Sequence, residues 1–219
     1  MSYLEDALMN AKPLREHEDK LTFNPSMLWS LFSCERRAYF DWTDPLDDGR
    51  DWQLTADHGN AIHEMLVDRI KRAGIWAGDE VRGSNEEIGI SYRIDALIRD
   101  PENNGMVVPV EIKSTGINWK GQLLFDQYTA EPNNSHVLQL MTYLGCHQPA
   151  PYEYGYILYY DKCKDRIMFI RIDYDIELMM EISEKVKVHH YRVRLGEIPE
   201  MCKSVGECKY CPYKARCER

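Results

Sequence analysis

The sequence predicts an α/β or α+β fold, a mixed central β-sheet flanked by helices. Three observations lead there. Two helical apolar patterns open the ordered part of the chain. Two β-branched, alternating segments follow around residues 88–99 and 106–114. A helical stretch then separates these from a second strand pair, and a last helix closes the order α, α, β, β, α, β, β, α. At 219 residues, 44% of them hydrophobic, the chain fits one domain with a proper core.

Each element has its own local signal. Residues 1–22 are polar and charged and read as a loosely held arm. Ser26 is the candidate N-cap of a first helix. Its apolar positions are Leu28, Trp29, Leu31, Phe32, Ala38, Tyr39 and Phe40, and it carries Cys34, Arg36 and Arg37. A second helix is expected from about Ala56 to Ala73, stopped by Gly74, with Gly59 and His63 on it. The Asp100–Gly105 stretch has the composition of a hairpin loop, so the flanking strands are expected to pair antiparallel. The segment from Thr115 to Pro132 is less regular and reads as a mobile flap. A third helix is expected from Ser135 to about Cys146, strands at Tyr154–Asp161 and Arg166–Tyr174, and a final helix from Ile176 to Leu195.

Composition narrows the function classes. No apolar run approaches the roughly 18 residues of a membrane span. The first residues lack the basic-then-apolar order of a secretory signal, which gives a soluble cytoplasmic protein as the expectation. Net charge is −9, with acids in excess up to Asp161 and bases slightly in excess beyond it. Such a balance permits a local basic groove but predicts modest, salt-sensitive affinity for nucleic acid. Seven cysteines, an odd number, read poorly as a disulfide framework and better as metal ligands where they cluster.

The chemistry is concentrated in the run from Val107 to Ser114. Strand side chains alternate faces, so Glu111 and Lys113 share one face while Ile112 turns to the other. Antiparallel pairing would bring Asp95 to them. Two carboxylates can hold Mg²⁺ or Mn²⁺, and a lysine beside them can orient a water or neutralise charge on a phosphate. The plain alternative is a cross-strand salt bridge on a solvated face. His63 is a possible further ligand, although a helical histidine is more often simply packed or solvated. Gln139 and Tyr143 lie one helical turn apart and could orient Lys113 or touch a phosphate. In the tail, Cys208, Cys211 and Cys217 make a three-thiolate cluster suited to a soft metal. The fourth ligand is open between Cys202 and Cys34, and spacing alone favours Cys202.

Read together, Gly59-x-x-x-His63, Ile94-Asp95, Glu111-Ile112-Lys113 and Gln139-x-x-x-Tyr143 resemble the motifs of the PD-(D/E)xK nuclease superfamily. The likeness is to its RecB-like iron–sulfur branch, which includes the CRISPR-associated exonucleases, and spans about Ser26 to Cys217. Ile94 stands where that family often has proline. The resemblance implies a restriction-endonuclease-like core over 55–195, with cluster-binding elements at 25–42 and 199–219, in a single nuclease domain. It implies catalytic roles for Asp95, Glu111, Lys113, Gln139 and Tyr143. It also implies Mg²⁺ or Mn²⁺ on His63, Asp95, Glu111 and the Ile112 carbonyl, and a 4Fe–4S cluster on Cys34, Cys208, Cys211 and Cys217. That last set reverses the preference for Cys202. DNA, as single strands or ends, is the implied partner, with protein partners in recombination, repair or CRISPR adaptation. Trp119, Phe125 and Tyr128 could stack on exposed bases, although a buried flap would use the same residue types.

Overall fold

The computed structural model describes residues 22–46, 53–78, 80–118, 120–147, 151–202, 208–209 and 211–217. The expected N-terminal arm, save its last residue, and Trp119 lie outside them. The helices are α1 (Leu28–Ser33), α2 (Glu35–Thr43), α3 (Gln53–Arg72), α4 (Leu124–Ala130), α5 (Asn134–Cys146), α6 (Ile176–Leu195) and a short α7 (Lys214–Cys217). The strands are β1 (Trp76–Gly78), β2 (Val81–Asn85), β3 (Ile90–Ile94), β4 (Ala96–Asp100), β5 (Met106–Thr115), β6 (Tyr154–Asp161) and β7 (Arg166–Asp173).

Strand β5 lies at the centre of a five-stranded mixed sheet of order β1-β4-β5-β6-β7. It pairs antiparallel with β4 and parallel with β6. A parallel neighbour requires a crossover, and α4 and α5 supply it between β5 and β6. The β4–β5 connection is the expected hairpin. Asn104 and Gly105 take left-handed backbone angles, with φ of 56° and 72°. Asp100 accepts from the Glu102 N–H at 2.9 Å and from Asn103 Nδ2 at 2.8 Å. The same buried carboxylate accepts from the hydroxyls of Tyr154 and Tyr156 at 2.7 and 2.8 Å, which ties the hairpin to β6.

Helices cover both faces of this sheet. On one face Ile62, Leu66 and Ile70 of α3, spaced four apart, pack on Ala96, Ile98, Val108, Val110, Ile112 and Leu158. On the other, Leu140, Met141 and Leu144 of α5 join α1, α6 and β3 in the larger core. Gly155 on β6 permits the close approach of α5. A Cβ there would meet the Pro109 carbonyl oxygen at 2.9 Å and Leu140 Cδ1 at 3.0 Å. Gly59, by contrast, has open space where a Cβ would go, so the packing of α3 does not require it.

The structure departs from the sequence-based expectation in four places. The first helix is broken at Cys34, whose φ of −159° and ψ of 100° are extended, so Cys34 sits at the N-terminus of α2 rather than within a helix. Ser26 is not its N-cap; it lies in a 3-10 turn, Pro25–Met27, preceded by Asn24. The strand expected over residues 88–99 is two strands, divided at Asp95. β3 pairs with β2 in a separate two-stranded sheet, while β4 joins the main sheet. The expected flap contains α4, with Phe125 buried in the core and Arg166 4.5 Å above its ring, so Phe125 has no free face for a base. Tyr128 packs on His136 and Tyr159 instead.

Candidate active site

The break at Asp95 builds the site. With the chain leaving β3 and entering β4 there, Asp95 Oδ2 accepts a hydrogen bond from the Ile112 backbone N–H at 2.8 Å. The carboxylate thus stands in for a strand partner and is pinned against the segment that carries Glu111 and Lys113. Its other oxygen, Oδ1, lies 3.4 Å from Nε2 of His63, which α3 presents beside its buried Ile62. That contact raises the basicity of His63, against the opposing effect of burial and of the nearby Arg93 charge.

The alternation read from the sequence holds along β5. Ile112 packs with the α3-side core, and Glu111 and Lys113 face α5. Glu111 is fully buried. Burial pushes its carboxyl up to about 7, and the charge of Lys113 opposes the rise. The Lys113 ammonium touches Glu111 Oε1 and donates to Gln139 Oε1 at 3.1 Å. Gln139 Nε2 in turn donates to the Tyr143 hydroxyl at 2.9 Å. Tyr143, itself buried, has its phenol pushed far up by burial and by the Glu111 charge it faces. The four side chains Glu111, Lys113, Gln139 and Tyr143 therefore form a connected polar group inside the protein. Behind it, His136 is driven down to about 3 by burial and by Lys113, so no second cation competes there.

This group has loose ends that matter. Among the described residues Glu111 has only the Lys113 ammonium and the Tyr143 hydroxyl for partners, and His63 Nε2 has only its long contact with Asp95. A buried carboxylate left this way is costly unless a cation satisfies it. Glu111, His63 and Asp95 therefore suit a hard divalent ion by donor type. They are not gathered into a finished shell: among the described residues no three His, Cys, Asp or Glu side chains stand in metal-holding geometry. The Glu111 carboxylate is drawn instead to the Lys113 ammonium.

Five of the thiols come together elsewhere. Cys34, Cys202, Cys208, Cys211 and Cys217 all line one cavity of about 130 Å³, together with Arg37 and Lys214. Cys202 Sγ and Cys208 Sγ are 3.2 Å apart. Burial raises the thiols of Cys34 and Cys217, and Arg36 partly offsets this at Cys217. The Nε atoms of Arg36 and Arg37 are buried without a hydrogen-bond acceptor, although Arg37 keeps a 3.6 Å ion pair to Asp41. Two underused cationic donors beside five thiols suit an anionic metal–thiolate group. Cys202, set aside in favour of Cys34, lies in the same cavity. The tail is also held by packing, since Tyr213 clusters with Tyr39 and Phe40 of α2 and its hydroxyl accepts from the Leu46 N–H at 3.2 Å. Cys146 is buried in the core and Cys163 is exposed in the β6–β7 turn, and neither lines the thiol cavity.

Sequence reasoning missed β2 and the groove it forms beside Asp95. Its short, Gly-Ser-rich run Val81–Asn85 has no apolar alternation to reveal it. No helix of the described residues is long and apolar enough to cross a membrane.

No protein-family model matches the chain, and no curated protein sequence matches it significantly. Solved structures do. The crystal structure of SSO0001 is 22% identical, with a TM-score of 0.50, over 98% of this chain and 91% of that one. The alkaline exonuclease LHK-Exo from Laribacter hongkongensis is 14% identical, with a TM-score of 0.51, over 82% of this chain and 91% of that one. Its complex with dAMP gives 15% identity and a TM-score of 0.57 over the same shares. At these identities the likeness is one of fold: a mixed sheet between helices, shared with a nuclease.

Proposed function

We propose that the chain is a divalent-metal-dependent deoxyribonuclease that degrades single-stranded DNA or DNA ends as an exonuclease. The observation that carries this reading is the fully buried Glu111, set between the Lys113 ammonium it touches and the Asp95–His63 pair. A salt bridge serving only stability would not need a carboxylate buried so completely that its carboxyl rises to about 7 beside an ammonium. The shared fold with LHK-Exo, an alkaline exonuclease in its own right, adds support.

His63, Asp95, Glu111 and the Ile112 carbonyl would hold Mg²⁺ or Mn²⁺, which would supply positive charge for the phosphate and a more acidic water. Lys113 is held between Glu111 and Gln139, so its ammonium is oriented without being fully neutralised. In that position it can align an attacking water and balance the charge that develops on a phosphodiester. Gln139 and Tyr143 position Lys113 and the Glu111 carboxylate rather than react themselves. The five-thiol cavity would hold a structural 4Fe–4S cluster on Cys34, Cys208, Cys211 and Cys217, with Cys202 as the neighbouring thiol able to replace one of them.

Two experiments test the reading. Purified protein with Mn²⁺ should digest a labelled oligodeoxynucleotide, and Lys113→Ala and Asp95→Asn should each lose at least a hundredfold in rate. Either variant working at the parental rate would sink the assignment. Anaerobic purification should give a brown protein with a broad absorption band near roughly 400 nm. Cys34→Ser should lose iron and Cys202→Ser should keep it. A colourless protein carrying zinc would overturn the cluster, and iron lost only in Cys202→Ser would exchange the ligand.

A further inference from the structure

Beside Asp95 a polar groove of about 540 Å³ runs between the 3-10 turn at Pro25 and the β2–β3 sheet. Gln139, Tyr143 and Asp95 line its inner end, and Asn24, Ser91, Arg82 and Arg93 line its outer part. Arg82 and Arg93 stand directly opposite each other in the β2–β3 register. Like charges in that relation destabilise a sheet unless an anion lies between them. Here a carboxylate does: Glu80 Oε1 is 2.7 Å from Arg82 Nε, and Glu80 Oε2 is 3.4 Å from Arg93 Nε. Among the described residues there, one carboxylate against two guanidiniums leaves a net positive charge at the mouth of the groove, in a chain whose total is −9. Both arginine side chains are more than half exposed, so they are open to an incoming ligand. Arg93 lies two residues before Asp95 and lines the same groove, which places the pair beside the proposed catalytic group.

We infer that the Arg82–Arg93 pair is a phosphate subsite. It receives a backbone phosphate of the nucleic-acid strand flanking the bond at Asp95, and Glu80 occupies it when no strand is bound. The inference rests on the nuclease reading for the identity of the strand but not for the existence of the anion site. Guanidinium groups suit the two oxygens of a phosphate. Ser91 and Asn24, already linked at 3.2 Å, border the same path and offer hydrogen bonds to sugar or base. Glu80 then acts as an internal competitor: a strand must displace one carboxylate, which favours polyanions over single small anions.

The test is binding of a fluorescein-labelled 12-nucleotide single strand by anisotropy in chelator, with the Lys113→Ala background preventing digestion. Arg82→Ala with Arg93→Ala should weaken binding by about tenfold or more. It should also lower the slope of log Kd against log salt by about 0.7, the value for one phosphate contact on a single strand. Glu80→Gln should tighten binding several-fold at low salt and should do nothing once both arginines are gone. Binding within twofold of the parent in the double arginine variant, or a Glu80→Gln effect that persists without the arginines, would overturn the subsite. In the otherwise natural chain with Mn²⁺, thymidine 5′-(p-nitrophenyl phosphate), which has no flanking nucleotide, should be hydrolysed equally with and without the arginines. A comparable loss on this ester would also overturn the subsite, because the arginines would then serve the reacting phosphate itself. A parent that cleaves neither DNA nor the ester, yet binds the strand through the arginines, would overturn the nuclease reading and uphold the subsite.

Discussion

Glu111 is the point where the fold and the proposed chemistry conflict, and the conflict can be measured. Its carboxyl is raised from 4.5 to about 7 by complete burial, even with Lys113 in contact. The folded state thus holds a proton that the unfolded chain releases between those values. The stability this proton contributes is fully present below about pH 4.5 and is lost as pH rises through 7. At about 1.4 kcal/mol per pH unit, the protein at pH 8 carries a penalty of about 3 kcal/mol for keeping this charge buried. Glu111→Gln removes the charge at nearly constant shape and leaves Lys113 its bond to Gln139. In thermal melts at pH 8 with chelator, the variant should unfold above the parent. With about 2–4 °C per kcal/mol for a chain of this size, the expected gap is about 6–12 °C, less what Lys113 loses. The gap should close near pH 5, where the parent carboxyl is protonated. Mn²⁺ should raise the melting point of the parent, by about 2.7 kcal/mol of stability at a hundred times Kd, and should barely move the variant. Equal melting points at pH 8, or a gap that does not shrink on acidification, would refute the reasoning.

Other perturbations follow from single contacts. Asp95→Ala should cost stability as well as activity, about 1–3 kcal/mol, because it strips the acceptor from the Ile112 N–H; Asp95→Asn should be inactive yet nearer the parent in chemical denaturation. Asp100→Ala should orphan two tyrosine hydroxyls and lose about 2–4 kcal/mol. Its DNA cleavage per folded molecule should stay unchanged, since the hairpin is about 17 Å along β5 from Glu111. Gly59→Ala should raise the melting point by up to about 1 kcal/mol of stability, because nothing crowds the added methyl on a helix. A stable Gly59→Ala protein that no longer digests DNA would mean that the open space at Gly59 belongs to the substrate.

What the sequence disclosed and what it hid divide along a physical line. Periodicity found α5, α6, β6 and β7 almost to the residue, because the helices bury continuous stripes and the strands are aromatic and β-branched runs bounded by a turn. Alternation alone put Glu111 and Lys113 on one side of β5, and the helical repeat put Gln139 and Tyr143 within reach of them. The two breaks escaped because each is made by a contact from far along the chain. Apolar patterning runs through Asp95 and Cys34 without interruption. It is the Ile112 N–H, 17 residues on, that bends the strand at Asp95, and the tail thiols gather at the helix break of Cys34. Both departures from regular structure thus fall at residues proposed to serve a metal site. The interrupted strand frees the Asp95 carboxyl from the pleat and turns it towards Glu111. The interrupted helix turns the Cys34 thiol into the tail cavity. A sequence that obeyed its local propensities at those two positions would fold more smoothly and would have neither site.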